Sequence, residues 1–290
     1  MKKFFPLILL LALTAACSSR QASDKPVLAV STPPQARILS ELADSTFEIV
    51  TILPPGTNPE AYDPAMSERM ALSRAKTFFV TGVLPFEQTL TRSLPAEVDI
   101  INSSEGINLI TGTHQHSHSG NHDDDHDFHD DVDPHLSASY DNALIMAANF
   151  TRELCKLDPA RKEIYLSRLD DFTSRIREAR DSAAARLSAA HARTFAVWHP
   201  SLSYFARDFG LRQIAVGQES KEISISSLQK IVDQARADSV RVFFFQRAYD
   251  SRQAENINNA LGARMVTIDP LDADWESQLN YIVNALTTDN

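Results

Sequence analysis

"DPARKEIYLSRLDDFTSRIREARDSAAARLSAAHA", residues 158–192, is the stretch that decides the fold. Asp158-Pro159 is a helix start, an N-cap followed by Pro at the first helical position. Apolar residues then recur at Tyr165, Leu169, Phe172, Ile176, Ala179, Ala183 and Leu187, at spacings of three and four, the period of one helical face. No Gly or Pro interrupts Ala160 to Ala192. About thirty residues at 1.5 Å each give a helix of ~45 Å, enough to run the height of a two-lobed body. A lone segment of this kind is a connecting strut rather than a coiled coil.

On either side of this strut, short β-rich runs alternate with helical patterns. Strands are expected at Val27–Ser31, Phe47–Leu53, Thr77–Thr81 and Val98–Asn102, and again at Thr194–Trp198, Gln213–Val216, Val240–Phe245 and Arg264–Ile268. Helices are expected at Gln35–Ala43, Ser67–Ala75, Ser226–Ala237, Ser251–Leu261 and Asp274–Ala285, and one after His135. Alternating strands and helices predict an α/β fold: two (β/α) lobes with mainly parallel sheets, four strands each, bridged by one long rigid helix.

The N-terminus carries a second signal. Lys2 and Lys3 precede the apolar stretch Phe4–Leu13, then Thr14-Ala15-Ala16-Cys17. A charged end, a short apolar core and small residues form an export signal, too short to span a bilayer comfortably. Cys17 after the small residues is the expected lipidation site of a membrane-anchored lipoprotein, although Leu13 stands one residue further from the cysteine than usual. The expected division is thus 1–17 signal, 18–25 tether, 26–157 N-terminal lobe, 158–192 linking helix and 193–290 C-terminal lobe. The chain has two cysteines; with Cys17 acylated, Cys155 is left without an intramolecular partner. The net charge of −10 argues against a nucleic-acid partner, which needs clustered Lys and Arg.

Of nine histidines, six lie in one acidic run, His114, His116, His118, His122, His126 and His129, inside a loop at 114–131. The run has almost no apolar residues, so it cannot bury enough surface to offset its ordering entropy. Imidazoles attract zinc, copper and nickel, but a tight site needs ligands held by rigid elements. The run is therefore auxiliary, raising the local ion concentration.

Rigid candidates lie past strand ends, where open α/β sheets gather their ligands. Glu60 follows "FEIVTIL" in "PPGTNPEAYDP", His199 directly follows "TFAVW", Asp269 follows "RMVTI", and His135 closes the histidine run in "DVDPHLS". Each lobe contributes two, which puts the metal in the cleft between them. His191 is a helix-terminal charge, and Tyr204 and Arg247 are supporting residues whose roles the sequence does not separate. The chain contains no His-Glu-x-x-His helix, no Gly-x-Ser-x-Gly elbow and no phosphate loop, so nothing marks an enzyme.

These segments resemble the substrate-binding lipoproteins of zinc and manganese ABC transporters, the cluster A-I metal-binding family, over nearly all of the mature chain. "LPPGTNPEAYDP" is similar to the family's Pro-Pro-Gly-x-x-Pro-His-x-Tyr-x-Pro segment, "DPHLS" to its Asp-Pro-His-x-Trp-Leu-Ser motif, and "VWHPSLSYFARDFGL" and "IDPL" to its third and fourth ligand segments. The resemblance implies the metal set Glu60, His135, His199 and Asp269, with Glu60 where the family normally has His. "DPHLS" lacks the Trp, and Gln246-Arg247 stands where Glu-Pro-Gln is usual. It also implies an exported, monomeric carrier that passes its ion to an ABC-type membrane permease. Two imidazoles and two carboxylates suit tetrahedral Zn²⁺; the added carboxylate leaves Mn²⁺ as the alternative. A metal-dependent adhesin of the same fold and a metallohydrolase are the other functional classes.

Overall fold

The computed structural model describes residues 25–112, 132–191, 193–217, 225–246, 249 and 251–288. Cys17 and its signal, the six histidines of the acidic run, and Arg247 lie outside the described residues.

The first half contains β1 (Val27–Val30), α1 (Pro33–Ala43), β2 (Glu48–Thr51), α2 (Met66–Leu72), β3 (Thr77–Val80), α3 (Pro85–Thr91), β4 (Asp99–Asn102) and α4 (Tyr140–Leu157). A 3₁₀ turn, Pro159–Arg161, leads into α5 (Lys162–Ala189). The second half contains β5 (Thr194–Val197), α6 (Ser203–Asp208), β6 (Arg212–Ala215), α7 (Ile225–Ala237), β7 (Val242–Gln246), α8 (Ser251–Leu261), β8 (Arg264–Ile268) and α9 (Trp275–Thr287). Each half builds a four-stranded sheet, in the orders β2-β1-β3-β4 and β6-β5-β7-β8. Every ladder between these strands is parallel. In such an order the connections reverse direction between the first and third strands of each lobe, which opens a crevice at their carboxyl ends.

The linking helix starts later than its sequence signal. Asp158 ends α4 and the 3₁₀ turn intervenes, so α5 begins at Lys162 and spans 28 residues. Asp158 makes no side-chain cap bond. Its carboxylate instead accepts the Tyr165 hydroxyl at 3.0 Å. The apolar stripe does face inward: Tyr165, Phe172, Ile176, Ala183 and Leu187 are buried.

One hydrophobic core runs through both lobes. It joins Leu28, Val30, Ile38 and Phe150 of the first half to Phe195, Val197, Tyr204 and Trp275 of the second by way of the α5 stripe. Two further clusters fill the outer faces, one around Phe78 and Leu84, the other around Phe243 and Ala254. Polar ties reinforce the shared core. Arg175 on α5 pairs with both Glu41 of α1 and Glu276 of α9. Arg207 on α6 donates to the Asn108 carbonyl at 2.7 Å, and Ser139, the N-cap of α4, donates to Asp208. A core shared in this way resists wide opening, because packed interiors deform little. No described helix is long and apolar enough to cross a membrane.

Candidate metal centre

The crevice between the lobes is lined by Pro59 and His135 from the first lobe and by His199, Ser201, Gln246, Tyr249 and Asp269 from the second. Its volume is about 40 Å³, room for an ion and a water or two, and far below the several hundred Å³ of an organic ligand site.

Glu60 hangs from the loop after β2. Asn58 Oδ1 accepts the Glu60 backbone N–H at 3.0 Å, and Tyr62 ties the loop back through its hydroxyl to the Ile52 carbonyl at 3.2 Å. The Tyr62 ring also packs edge-on against Phe86, with ring centroids 5.4 Å apart. The Glu60 side chain is 14% exposed.

His135 follows a chain crossing at the base of the acidic run. Thr111 and Val132 bridge antiparallel, and Asp133 N–H donates to the Ile110 carbonyl at 2.8 Å. Asp133 is fully buried. Its Oδ1 accepts from the His135 backbone N–H and pairs with His135 Nδ1, both at 2.9 Å. With the proton on Nδ1, the lone pair falls on Nε2, the arrangement in which a carboxylate orients a metal-binding imidazole. Behind Asp133, the Tyr204 hydroxyl donates to the Asp133 carbonyl at 2.9 Å and accepts from Ile110 N–H at 3.2 Å. Burial, aided by the Asp133 charge, pushes the Tyr204 phenol up to about 12, so it serves as a neutral donor.

His199 leaves β5 at the point where the strand order reverses. Gly217 allows this exit, because a Cβ there would meet the Trp198 carbonyl oxygen at 2.7 Å. The His199 ring is buried and stacks on Tyr249 at 28°, with centroids 5.5 Å apart. It faces the His135 ring across the crevice at 5.1 Å.

The structure thus brings three of the four expected residues together. Nε2 of His199 lies 3.3 Å from Oε1 of Glu60, and one ligand atom from each of Glu60, His135 and His199 falls within 4.8 Å of the others. Tetrahedral Zn²⁺ with bonds of roughly 2.0–2.1 Å separates its ligand atoms by about 3.4 Å, so the Glu60–His199 spacing already matches one edge. Two imidazoles and a carboxylate are a donor set that zinc accepts. Asp269 lines the same crevice but stands outside this cluster. Its Oδ1 accepts the Leu271 N–H at 3.1 Å, a turn bond typical of Asp before Pro.

Sequence reasoning overlooked Asp133, Tyr249 and the role of Gln246. Asp133 had a signal: an aspartate two residues before His135 is placed to accept that residue's backbone N–H. Tyr249 had none, since only the folded loop after β7 brings it to His199.

A family profile described as "ZnuA: Zinc-uptake complex component A periplasmic" matches residues 28–288. A "Putative metal-binding protein" of Treponema pallidum is 25% identical over 241 residues, covering 81% of this chain and 76% of the relative. "Zinc-binding lipoprotein AdcA" of Streptococcus pneumoniae is 23% identical, covering 92% of this chain; the chain spans only 55% of that relative's length. Among solved structures, a ZnuA deletion mutant with zinc bound superposes with a TM-score of 0.80 at 27% identity, covering 92% of this chain and all of the other.

Proposed function

The chain belongs to the family of periplasmic component A of zinc-uptake complexes, and we propose that it captures Zn²⁺ outside the cytoplasm and hands it to an ABC-type permease. The observation that carries this reading is the convergence of Glu60, His135 and His199 at an ion-sized crevice between two lobes that both histidines line. A catalytic zinc needs space for an organic substrate beside its water, and a crevice of about 40 Å³ suits capture of a bare ion instead.

In this reading Glu60 and His135 meet the ion on one lobe and His199 on the other, with Asp269 completing the set by leaving its turn bond. The two carboxylates balance the ion's double charge as water is excluded. The shared core keeps the closing motion small. The acidic histidine run, which precedes Asp133-Pro134-His135 in the sequence, concentrates ions near the crevice. Residues 1–17 direct export, Cys17 carries the lipid, 18–25 is the tether, 26–157 and 193–290 are the lobes, and 158–192 links them.

Glu60 in place of a family histidine favours one second reading, manganese as cargo, since carboxylates suit harder ions. Metal analysis of the protein recovered from cells supplied with both ions separates the two. Bound Zn²⁺ supports zinc capture; bound Mn²⁺, despite the higher intrinsic affinity of such ligands for zinc, would assign manganese.

A further inference from the structure

We infer that Gln246 is the positioning residue for His199, an inference that rests on the metal-site reading above. Gln246 ends β7, beside β5 in the sheet, and is buried. The parallel ladder continues just past β5, with Trp198 N–H donating to the Phe244 carbonyl at 2.8 Å. One residue later the Gln246 side chain takes over. Its Oε1 accepts the His199 N–H at 3.2 Å, and its Nε2 donates to the His199 carbonyl at 2.6 Å and to Ser201 Oγ.

A primary amide offers an acceptor and two donors in one plane, and all three functions are used here. The His199 main chain is therefore held from both sides by a single side chain. The ring then has one side against Tyr249 and its Nε2 toward Glu60. A carboxylate at this position can accept the His199 N–H but cannot donate to the His199 carbonyl. The amide thus carries a function that is absent from an acidic residue, at a place where the sequence departs from the usual Glu-Pro-Gln segment. Gln246 lines the crevice, but its amide is engaged by the His199 main chain and Ser201, so it acts through His199.

The test uses the full chain with Gln246→Leu and Gln246→Glu, read by zinc competition titration and by the visible spectrum of the Co²⁺-loaded protein. The spectrum reports ligand geometry, which a purely structural role would leave unchanged. Gln246→Leu is expected to weaken zinc binding about 10- to 100-fold, as loss of an outer supporting group does, and to shift the Co²⁺ bands. Gln246→Glu is expected to fall between Gln246→Leu and wild type. If Gln246→Leu fails to fold, Gln246→Glu supplies the same two readouts. Wild-type zinc affinity with an unchanged Co²⁺ spectrum would overturn the inference, whether or not the melting temperature falls. His199→Ala keeps the two readings apart. If it binds zinc as wild type does, the metal site itself is wrong; if it does not, the Gln246 variants speak to positioning alone.

Discussion

Replacing Asp133 with Asn tests how the protein tunes His135. Asp133 is fully buried, and its Oδ1 serves both the backbone N–H and the Nδ1 of His135. An asparagine Oδ1 can accept both bonds, so the backbone geometry and the tautomer survive while the charge is lost. Charge-assisted hydrogen bonds contribute about 1.5–3 kcal/mol against about 0.5–1.5 for neutral ones. The difference, about 1–1.5 kcal/mol, is close to tenfold in dissociation constant. Asp133→Asn should therefore bind zinc more weakly, by up to about tenfold, with a stability loss of no more than about 1–1.5 kcal/mol. Asp133→Ala removes both bonds from a buried position; it should lose about 2–4 kcal/mol of stability and move toward the 100-fold end for outer-shell groups. The assay is competition against a chelator of known zinc affinity, with chemical denaturation alongside. Zinc affinity within twofold of wild type in both variants would refute the reasoning, because His135 would then need no carboxylate behind it.

Three further expectations concern the site, the lobes and the fold. Deleting residues 114–129 should leave one tight zinc equivalent in calorimetry, whereas His199→Ala should abolish it; the opposite pattern would make the histidine run the site. Tyr204→Phe removes the hydroxyl between the Asp133 carbonyl and Ile110 N–H and should cost about 1–3 kcal/mol, seen as a melting point lowered by several degrees. Burial pushes the Glu87 carboxyl up, against hydrogen bonds from Ser31, Thr81 and Gly82 that pull it down. The folded state then binds this proton more tightly than the unfolded chain, so its contribution to stability is full below about 4.5 and declines as pH rises through the raised folded value. Glu87→Gln should remove that decline from denaturation curves collected across the acid range; an unchanged pH slope would count against it.

Much of the fold was legible because the inner strands β1, β3, β5 and β7 are largely buried apolar runs. The expected strand Thr194–Trp198 is observed as Thr194–Val197, and Arg264–Ile268 as Arg264–Ile268. The 18-residue α4 had no bounds in the sequence because its inward face is not purely apolar. Asn142 and Asn149 are buried there and donate to the carbonyls of Leu136, Ser103 and Glu105. The Asp158-Pro159 signal was genuine as a stop for α4 and misleading as the start of α5, because Tyr165 captures the aspartate that would have capped it. In the site, strand-end position and motif spacing pointed to Glu60, His135 and His199. The supporting contacts from Gln246 and Tyr249 depend on which strands become neighbours, which spacing alone does not encode.

The most direct measurement is a crystal structure of the zinc-loaded protein with anomalous diffraction at the zinc edge. The account predicts one strong peak in the interlobe crevice, about 2.0–2.2 Å from Nε2 of His135, Nε2 of His199 and a carboxylate oxygen each of Glu60 and Asp269. A fully occupied zinc held elsewhere, with this crevice empty, would contradict it.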